Sequence, residues 1–211
     1  MNKEEQIFTD AYVNDIWGPY GGYPETKSGL GSTLRQTVNI RRELPLLLER
    51  HNITSMLDIP CGDFNWMQHV DLGYTKYIGA DIVPVMIEDN KKRFPSVDFR
   101  TLNLLTDDLP KVDLVMCRDC LFHMSFSNIH RALTNIQRSG AKYILTTSYT
   151  WKAYPNEDCV DDSSGRVQWT RLNLFLPPFN LPQPVDFIFE GTAEDPTTSD
   201  RTLFLWRCGI V

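Results

Sequence analysis

Short apolar runs alternate with stretches of helical spacing from residue 53 onward. Ile53–Ile59 (ITSMLDI), Tyr77–Ile82 (YIGADI), Val97–Leu102, Val112–Cys117 (VDLVMC) and Lys142–Ser148 (KYILTTS) are apolar runs bounded by turn residues. Runs of about six such residues predict strands buried on both faces. Between them, Phe64, Trp66, Met67 and Val70 predict a short helix. Pro84 suits the first position of a helix that Val85–Phe94 continues. Ile129, Leu133 and Ile136 share one face of a helix over Ser125–Arg138. This alternation predicts an α/β fold built on a parallel, doubly wound sheet. Phe187–Phe189 and Leu203–Trp206 follow without a long helix between them, which predicts an antiparallel pair at the sheet edge.

The first 50 residues have another character. Asp15–Ser32 (DIWGPYGGYPETKSGLGS) is dense in glycine, proline and aromatics, so it predicts a structured loop. Ser32 is expected to cap a helix running through Leu34 and Val38 toward Leu48, with Pro45 breaking or kinking it. The loop reads either as a surface segment pinned by Trp17, Tyr20 and Tyr23 or as a lid over a ligand. Neither a repeat nor a linker divides the chain, so one domain is expected over 1–211, with a lid at 1–50 and a core at 51–211.

Composition narrows the function classes. Hydrophobic residues make up 42% and charged residues 23%, close to the globular average, which excludes disordered and fibrous classes. The 21 basic and 27 acidic side chains give 21 − 27 = −6, and without a basic stripe the chain is expected to bind no nucleic acid. It opens on the polar MNKEEQIFTD and contains no apolar run near the ~18 residues of a membrane span. Five cysteines, an odd number, fit free thiols in the reducing cytoplasm. Cys117 and Cys120 form a C-x-x-C, but zinc needs two further ligands that neither a second C-x-x-C nor paired histidines supply. No metal is therefore expected, and the pair reads as small residues ending a buried strand.

In an open α/β sheet, ligands bind beyond the carboxyl ends of the strands. Collected there are Asp58-Ile-Pro-Cys-Gly-Asp63, Asp81, Leu102-Asn103-Leu104-Leu105 and Arg118-Asp119-Cys-Leu-Phe-His123. Asp81 follows Gly62 by 19 residues, close to the spacing of about 20 at which a strand-end acid receives a ribose diol. The first turn is not G-x-G-x-x-G: Pro60 stands where a first glycine would, and Asp63 would repel a pyrophosphate. The pattern favours a nucleoside ligand without phosphates, and S-adenosylmethionine, with its cationic sulfonium, fits an acidic turn.

Asp58-Ile-Pro-Cys-Gly-Asp-Phe-Asn-Trp66, Tyr77-Ile-Gly-Ala-Asp81-Ile-Val-Pro84 and Cys117-Arg-Asp-Cys-Leu-Phe-His123 together resemble class I S-adenosylmethionine-dependent methyltransferases. Within them, the chain is similar to a group found with microbial and viral glycan-modifying genes. The group shares a Trp-Gly and a Ser-Gly-x-Gly-Ser segment, here Trp17-Gly18 and Ser28-Gly-Leu-Gly-Ser32, and a Pro-Phe-x-Leu-Pro, here Pro178–Pro182. Length and wording also resemble the C-terminal methyltransferase domain of a chlorovirus multidomain glycosyltransferase, which methylates a terminal rhamnose.

The resemblance implies a Rossmann-like, mostly parallel seven-stranded sheet with an antiparallel C-terminal pair. It implies S-adenosyl-L-methionine as cofactor and S-adenosyl-L-homocysteine as product. Asp58 and Gly62 would shape the methionine-tail site, Asp81 would hold the ribose hydroxyls, and Asn103 with the Leu104 backbone would face the adenine. Many relatives carry Asp at the third-strand position, so Asn103 departs mildly from the pattern. Trp17, Ser32, Pro60, Trp66, Ile82, Cys117 and Arg118 complete the expected cofactor wall. The implied partner is a glycan or activated-sugar acceptor, with glycosyltransferase domains fused or associated.

A sugar hydroxyl is a poor nucleophile at neutral pH, so its methylation calls for a general base. His123, six residues past Cys117, is the expected base. Asp119 either orients its ring or is the base itself. Tyr20, Tyr23, Arg118, Tyr149, Trp151, Arg171 and Asn173 are expected to line the acceptor site, because a sugar has an apolar C–H face and a rim of hydroxyls. Two other functions are compatible with the same residues: methylation of a small metabolite or protein side chain, and a non-catalytic cofactor-binding module of a glycan pathway.

Overall fold

The computed structural model describes residues 3–18, 22, 24–150, 155–159, 167, 169–191 and 200–209. Seven strands form one mixed sheet in the order β3-β2-β1-β4-β5-β7-β6, with β1 Ser55–Asp58, β2 Lys76–Asp81, β3 Asp98–Thr101, β4 Leu114–Cys117, β5 Tyr143–Tyr149, β6 Asp186–Phe189 and β7 Arg201–Arg207. β1 pairs with β2, β2 with β3 and β4 with β5 in parallel, whereas β7 runs antiparallel to both β5 and β6. The expected fold and its antiparallel terminal pair are both present. The chain divides into two compact units, Met1–Asn103 and Leu104–Val211.

In the first unit, α1 spans Lys3–Val13, α2 Val38–Arg50 and α3 Pro84–Arg93. The hydrophobic pattern did not predict α1. Its Tyr12 packs with Val83 and Met86 at the start of α3, flanked by Phe8 and Ile82. The expected helix from Ser32 begins later, at Val38. Ser32 instead ends a 3-10 turn over Leu30–Ser32. The Thr33 hydroxyl donates to the Leu30 carbonyl (2.9 Å) and the Thr37 hydroxyl to that of Thr33 (2.9 Å), local bonds that hold the approach in turns. Pro45 sits inside α2 without ending it. A proline removes one ladder donor, and the wholly buried Leu44 and Leu47 on either side anchor the helix across the gap.

The predicted helix around Phe64 is reduced to one 3-10 turn at Met67–His69. Phe64 has φ 60°, a left-handed conformation that no helix can start from and that costs a non-glycine residue roughly 1–2 kcal/mol. Its ring lies within an aromatic cluster, with centroids 5.4 Å from Tyr77, 5.0 Å from Phe94 and 5.2 Å from Phe99. Such pairs contribute about 0.5–1.5 kcal/mol each beyond their burial, enough to offset the strain.

In the second unit, all four residues of β4 are buried, as are Leu203, Leu205 and Trp206 of β7. The indole N–H of Trp206 donates to the Pro182 carbonyl at 2.7 Å. α4 spans Phe126–Arg138 and buries Ile129, Ala132, Leu133 and Ile136, the face its spacing predicts. Among the described residues, no helix is long and apolar enough to cross a membrane.

Ser125 caps α4, its hydroxyl accepting from the Asn128 N–H at 3.3 Å. Ser125→Ala is expected to lower unfolding free energy in urea by about 1 kcal/mol, whereas Ser127→Ala, on the exposed first turn of the same helix, should leave the midpoint unchanged.

Candidate active site

In the first unit, the chain leaves β1 through a turn that its own side chains hold on every side. Gly62 adopts φ 57°. Its N–H donates to Asp81 Oδ2 (3.1 Å), and its carbonyl accepts from Asn90 Nδ2 (2.8 Å). The Cys61 N–H donates to the Ala80 carbonyl at 2.7 Å, so the turn is tied to the end of β2. Asp63 Oδ2 accepts from the Thr26 hydroxyl (2.9 Å) and the Lys27 N–H (2.7 Å), and Oδ1 from the Asn65 N–H (3.3 Å). The Asp63 N–H in turn donates to Ser28 Oγ at 2.8 Å. Asp63, expected to add acidity to a ligand site, is therefore an anchor for the glycine-rich segment, which a second bond from Asn65 Nδ2 to the Ser32 carbonyl also holds (3.0 Å).

Asp58 and Asp81 are both buried at strand ends. Asp58 Oδ2 accepts from the Tyr77 hydroxyl at 2.8 Å. Burial and the neighbouring Asp58 push the Tyr77 phenol well up, so it stays a donor. Asp81 Oδ1 accepts from the Val83 N–H (3.1 Å) while Oδ2 holds Gly62. Burial outweighs the backbone N–H groups of Val83, Gly62 and Ile82 and lifts the Asp81 carboxyl to about 6. An ionised carboxylate offers about four acceptor sites, and backbone N–H groups meet both oxygens here.

The other expected cofactor residues of this unit are placed as follows. Trp17 is half-buried with its ring 5.9 Å from Phe8, Trp66 and Asn103 are buried, Pro60 is half-buried after a cis bond, and Ile82 packs on the α1–α3 cluster. Ser32 Oγ donates to the Ser28 carbonyl at 3.4 Å. Tyr20 and Tyr23 lie outside the described residues.

In the second unit, Leu104 is buried, and its carbonyl accepts from Asn135 Nδ2 at 2.8 Å. Cys117 is wholly buried at the end of β4. Beyond it a charged cluster forms. Arg118 Nε donates to Glu190 Oε1 at 2.7 Å, and Arg118 NH1 lies 3.3 Å from Asp119 Oδ2. Arg201 NH1 donates to the same Asp119 oxygen at 3.2 Å, while Arg201 Nε lies 3.7 Å from Glu190 Oε2. The Asp119 N–H donates to Thr147 Oγ1 (2.8 Å), whose hydroxyl faces Asp119 Oδ1 (3.3 Å). Two guanidiniums and two carboxylates balance to zero, as burial requires. Burial raises the Asp119 carboxyl, but Arg118, Arg201 and His123 overcome it and hold the group below its ordinary value. Asp119 has φ 50°, a strained backbone the cluster maintains.

His123 ends a 3-10 turn over Leu121–His123, and its ring lies 4.5 Å from that of Phe122. Phe122, Tyr149 and Trp169 form a triangle of near-perpendicular rings, with centroids 5.9 Å (Phe122–Tyr149), 6.1 Å (Phe122–Trp169) and 6.1 Å (Tyr149–Trp169) apart. Burial and then Asp119 raise the Tyr149 phenol, which stays protonated. Arg171 is exposed. Asn173 is buried, and its Oδ1 accepts from the Phe175 N–H at 3.0 Å. Trp151 lies outside the described residues.

Several residues here escaped the sequence reading. Asn90, Thr147, Glu190, Arg201 and Trp169 stand in no motif. The signal for Glu190 and Arg201 was available: each is an ion abutting a short apolar strand.

Residues 56–141 match a family model described as a methyltransferase domain. Over that stretch, about two-fifths of its length, the chain is similar to methyltransferases. Its fold is that of the class I enzymes that use S-adenosylmethionine as cofactor. The N-methyltransferase NodS from Bradyrhizobium japonicum WM9, solved with S-adenosyl-L-homocysteine, superposes with a TM-score of 0.61 at 14% identity, over 99% of this chain and 100% of that one. The methyltransferase domain of bacterial CtHen1-C gives 0.58 at 14% identity, over 84% of this chain and 100% of that one. Both are likenesses of fold. No curated protein matches the chain.

A Cβ added at Gly62 would lie 2.6 Å from Ser28 Oγ, whereas one at Gly73, also left-handed (φ 54°), would meet nothing within 4 Å. Gly73→Ala is expected to cost about 1 kcal/mol from backbone strain alone. Gly62→Ala should cost at least about 1 kcal/mol more, because the Ser28–Asp63 bond must break as well. Urea unfolding of the two variants checks the difference.

Proposed function

We propose that the chain is an S-adenosylmethionine-dependent O-methyltransferase acting on a sugar hydroxyl, a terminal deoxyhexose such as rhamnose, of a glycan or activated-sugar acceptor. The observation that carries the reading is Asp119. It is an anion bound by two arginines and in electrostatic contact with His123, in a chain whose residues 56–141 match a methyltransferase-domain model. An O-methyltransferase for an unactivated hydroxyl needs a base, and these two groups divide that work. Asp119, shared between Arg118 and Arg201, holds its proton too weakly to be the base. His123 takes the hydroxyl proton, and Asp119 stabilises the imidazolium that results. General-base catalysis of this kind contributes about 10²–10⁴-fold.

S-adenosylmethionine supplies an electrophilic methyl group whose sulfur leaves as a neutral thioether. The first unit's residues suit it: Asp81 for the ribose diol, Asp58 and the Gly62 turn for the methionine tail, Asn103 for the adenine. His123 removes the proton as the new O–C bond forms. The family resemblance adds the glycan setting, beside glycosyltransferase domains in the cytoplasm, and supports the sugar over a small metabolite.

Incubation with the cofactor and a rhamnose-terminated oligosaccharide should add the mass of one methylene group to the sugar. Methylation of peptides or small metabolites with none of saccharides would overturn the reading. His123→Ala should reduce turnover about 10²–10⁴-fold while leaving S-adenosylhomocysteine affinity unchanged; unaltered turnover would remove His123 from the mechanism.

Asp81 yields a pH dependence with a definite sign. Its carboxyl is raised from 3.8 to about 6, so between those values the folded chain binds more protons than the unfolded one, and stability falls as pH rises. Ligand affinity runs the other way, because the ionised carboxylate is the better acceptor for two hydroxyls. Calorimetry should find S-adenosylhomocysteine about tenfold weaker at pH 5 than at pH 7.5, and Asp81→Asn should flatten that dependence.

A further inference from the structure

We propose that Trp169, backed by Phe122 and Tyr149, is the platform on which the acceptor sugar stacks its apolar C–H face. The proposal rests on the sugar-acceptor reading and identifies the subsite that would select the ring.

Trp169 is 49% exposed, yet it is held in place from three directions. Its ring meets Phe122 at 71° and Tyr149 at 82°, so their edges pack on it while part of the indole stays in water. The following residue, Thr170, donates its N–H to the Phe122 carbonyl at 3.1 Å. Cys159 Sγ lies 3.5 Å from that carbonyl and 3.6 Å from Thr170 Oγ1. Two residues further on, the Leu172 carbonyl accepts from the Tyr149 N–H at 2.9 Å. The segment is thus stitched to the 3-10 turn that bears His123 and to the end of β5. An exposed aromatic ring on a pinned backbone gains nothing for folding from its wet half, but it binds a flat apolar partner without first losing rotamer freedom.

The surroundings specify the partner. Tyr149, which keeps a protonated phenol, links the platform to a polar cluster: it stands in the field of Asp119 and Arg201, which are paired with each other. A neutral ring with one C–H face and hydroxyls at its rim matches both the indole and the hydroxyl-bonding groups. A 6-deoxyhexose fits best, since its terminal methyl enlarges the apolar face.

Titration of the protein with methyl α-L-rhamnoside, followed by saturation-transfer NMR and tryptophan fluorescence, tests the platform without turnover. Saturable binding with a fluorescence change is expected. Trp169→Ala should weaken binding about tenfold or more, and Trp169→Phe should keep most of the affinity while losing the fluorescence change. Equal binding by wild type and Trp169→Ala would overturn the proposal, as would no binding of any saccharide. Turnover separates this from the wider reading: methylation of rhamnosides with an unchanged KM in Trp169→Ala rejects the platform alone. Rhamnoside stacking on Trp169 without methylation of any sugar keeps the platform and rejects the reading.

Discussion

Two arginines and two acids share the interior of the second unit, and much of that unit depends on their neutralising one another. Arg118 and Asp119 follow β4, Thr147 lies in β5, Glu190 follows β6 and Arg201 opens β7. The ion pairs therefore join residues at the ends of β4, β6 and β7, and the Thr147 hydroxyl ties β5 to the same centre. Removing one partner from such a buried group leaves an uncompensated charge at a cost of about 3–5 kcal/mol. The strain at Asp119 is tolerable only inside this frame. The turn that follows it, with Phe122 and His123, inherits its position from the cluster.

The first unit meets the same requirement by other means. The Asp63 carboxylate is bonded by a hydroxyl and two backbone N–H groups. Charge-assisted bonds of that kind are roughly twice as strong as neutral ones. They hold the glycine-rich segment against the turn after β1, while Asn90 and Asp81 hold the turn from the other side. Asp81 keeps a raised carboxyl because burial outweighs the backbone N–H groups that meet it. Two carboxylates 18 residues apart in the chain thus hold the same turn from two sides, Asp63 through the glycine-rich segment and Asp81 through Gly62.

The fold was legible where periodicity and burial agree. α4 shows its helical face in Ile129, Leu133 and Ile136, and all seven strands begin and end within a few residues of the apolar runs. The pattern failed where long-range contacts decide. Nothing local distinguishes a Phe64 that begins a helix from one forced left-handed by Tyr77, Phe94 and Phe99. Pro45 reads as a breaker because propensity does not register the buried leucines around it. α1 is too weakly patterned to announce itself before its partners on α3 are known. The strand-end acids were readable from topology rules, but their division of labour was not, because hydrogen bonds across tens of residues leave no mark on spacing. Trp169 escaped because it stands in an irregular segment where no period applies.

The ion cluster also bears on the order in which the chain can close. Arg118 and Glu190 are 72 residues apart in sequence, and Asp119 and Arg201 82. During synthesis β4 and β5 emerge first, carrying Arg118 and Asp119 without their later partners. Arg118 and Asp119 lie within reach of each other from the start, but their bonds to Glu190 and Arg201 wait for β6 and β7. Loop closure over such distances is slow to be rewarded. The pair β6 and β7 therefore acts as a latch: segments made after β4 and β5 complete the cluster.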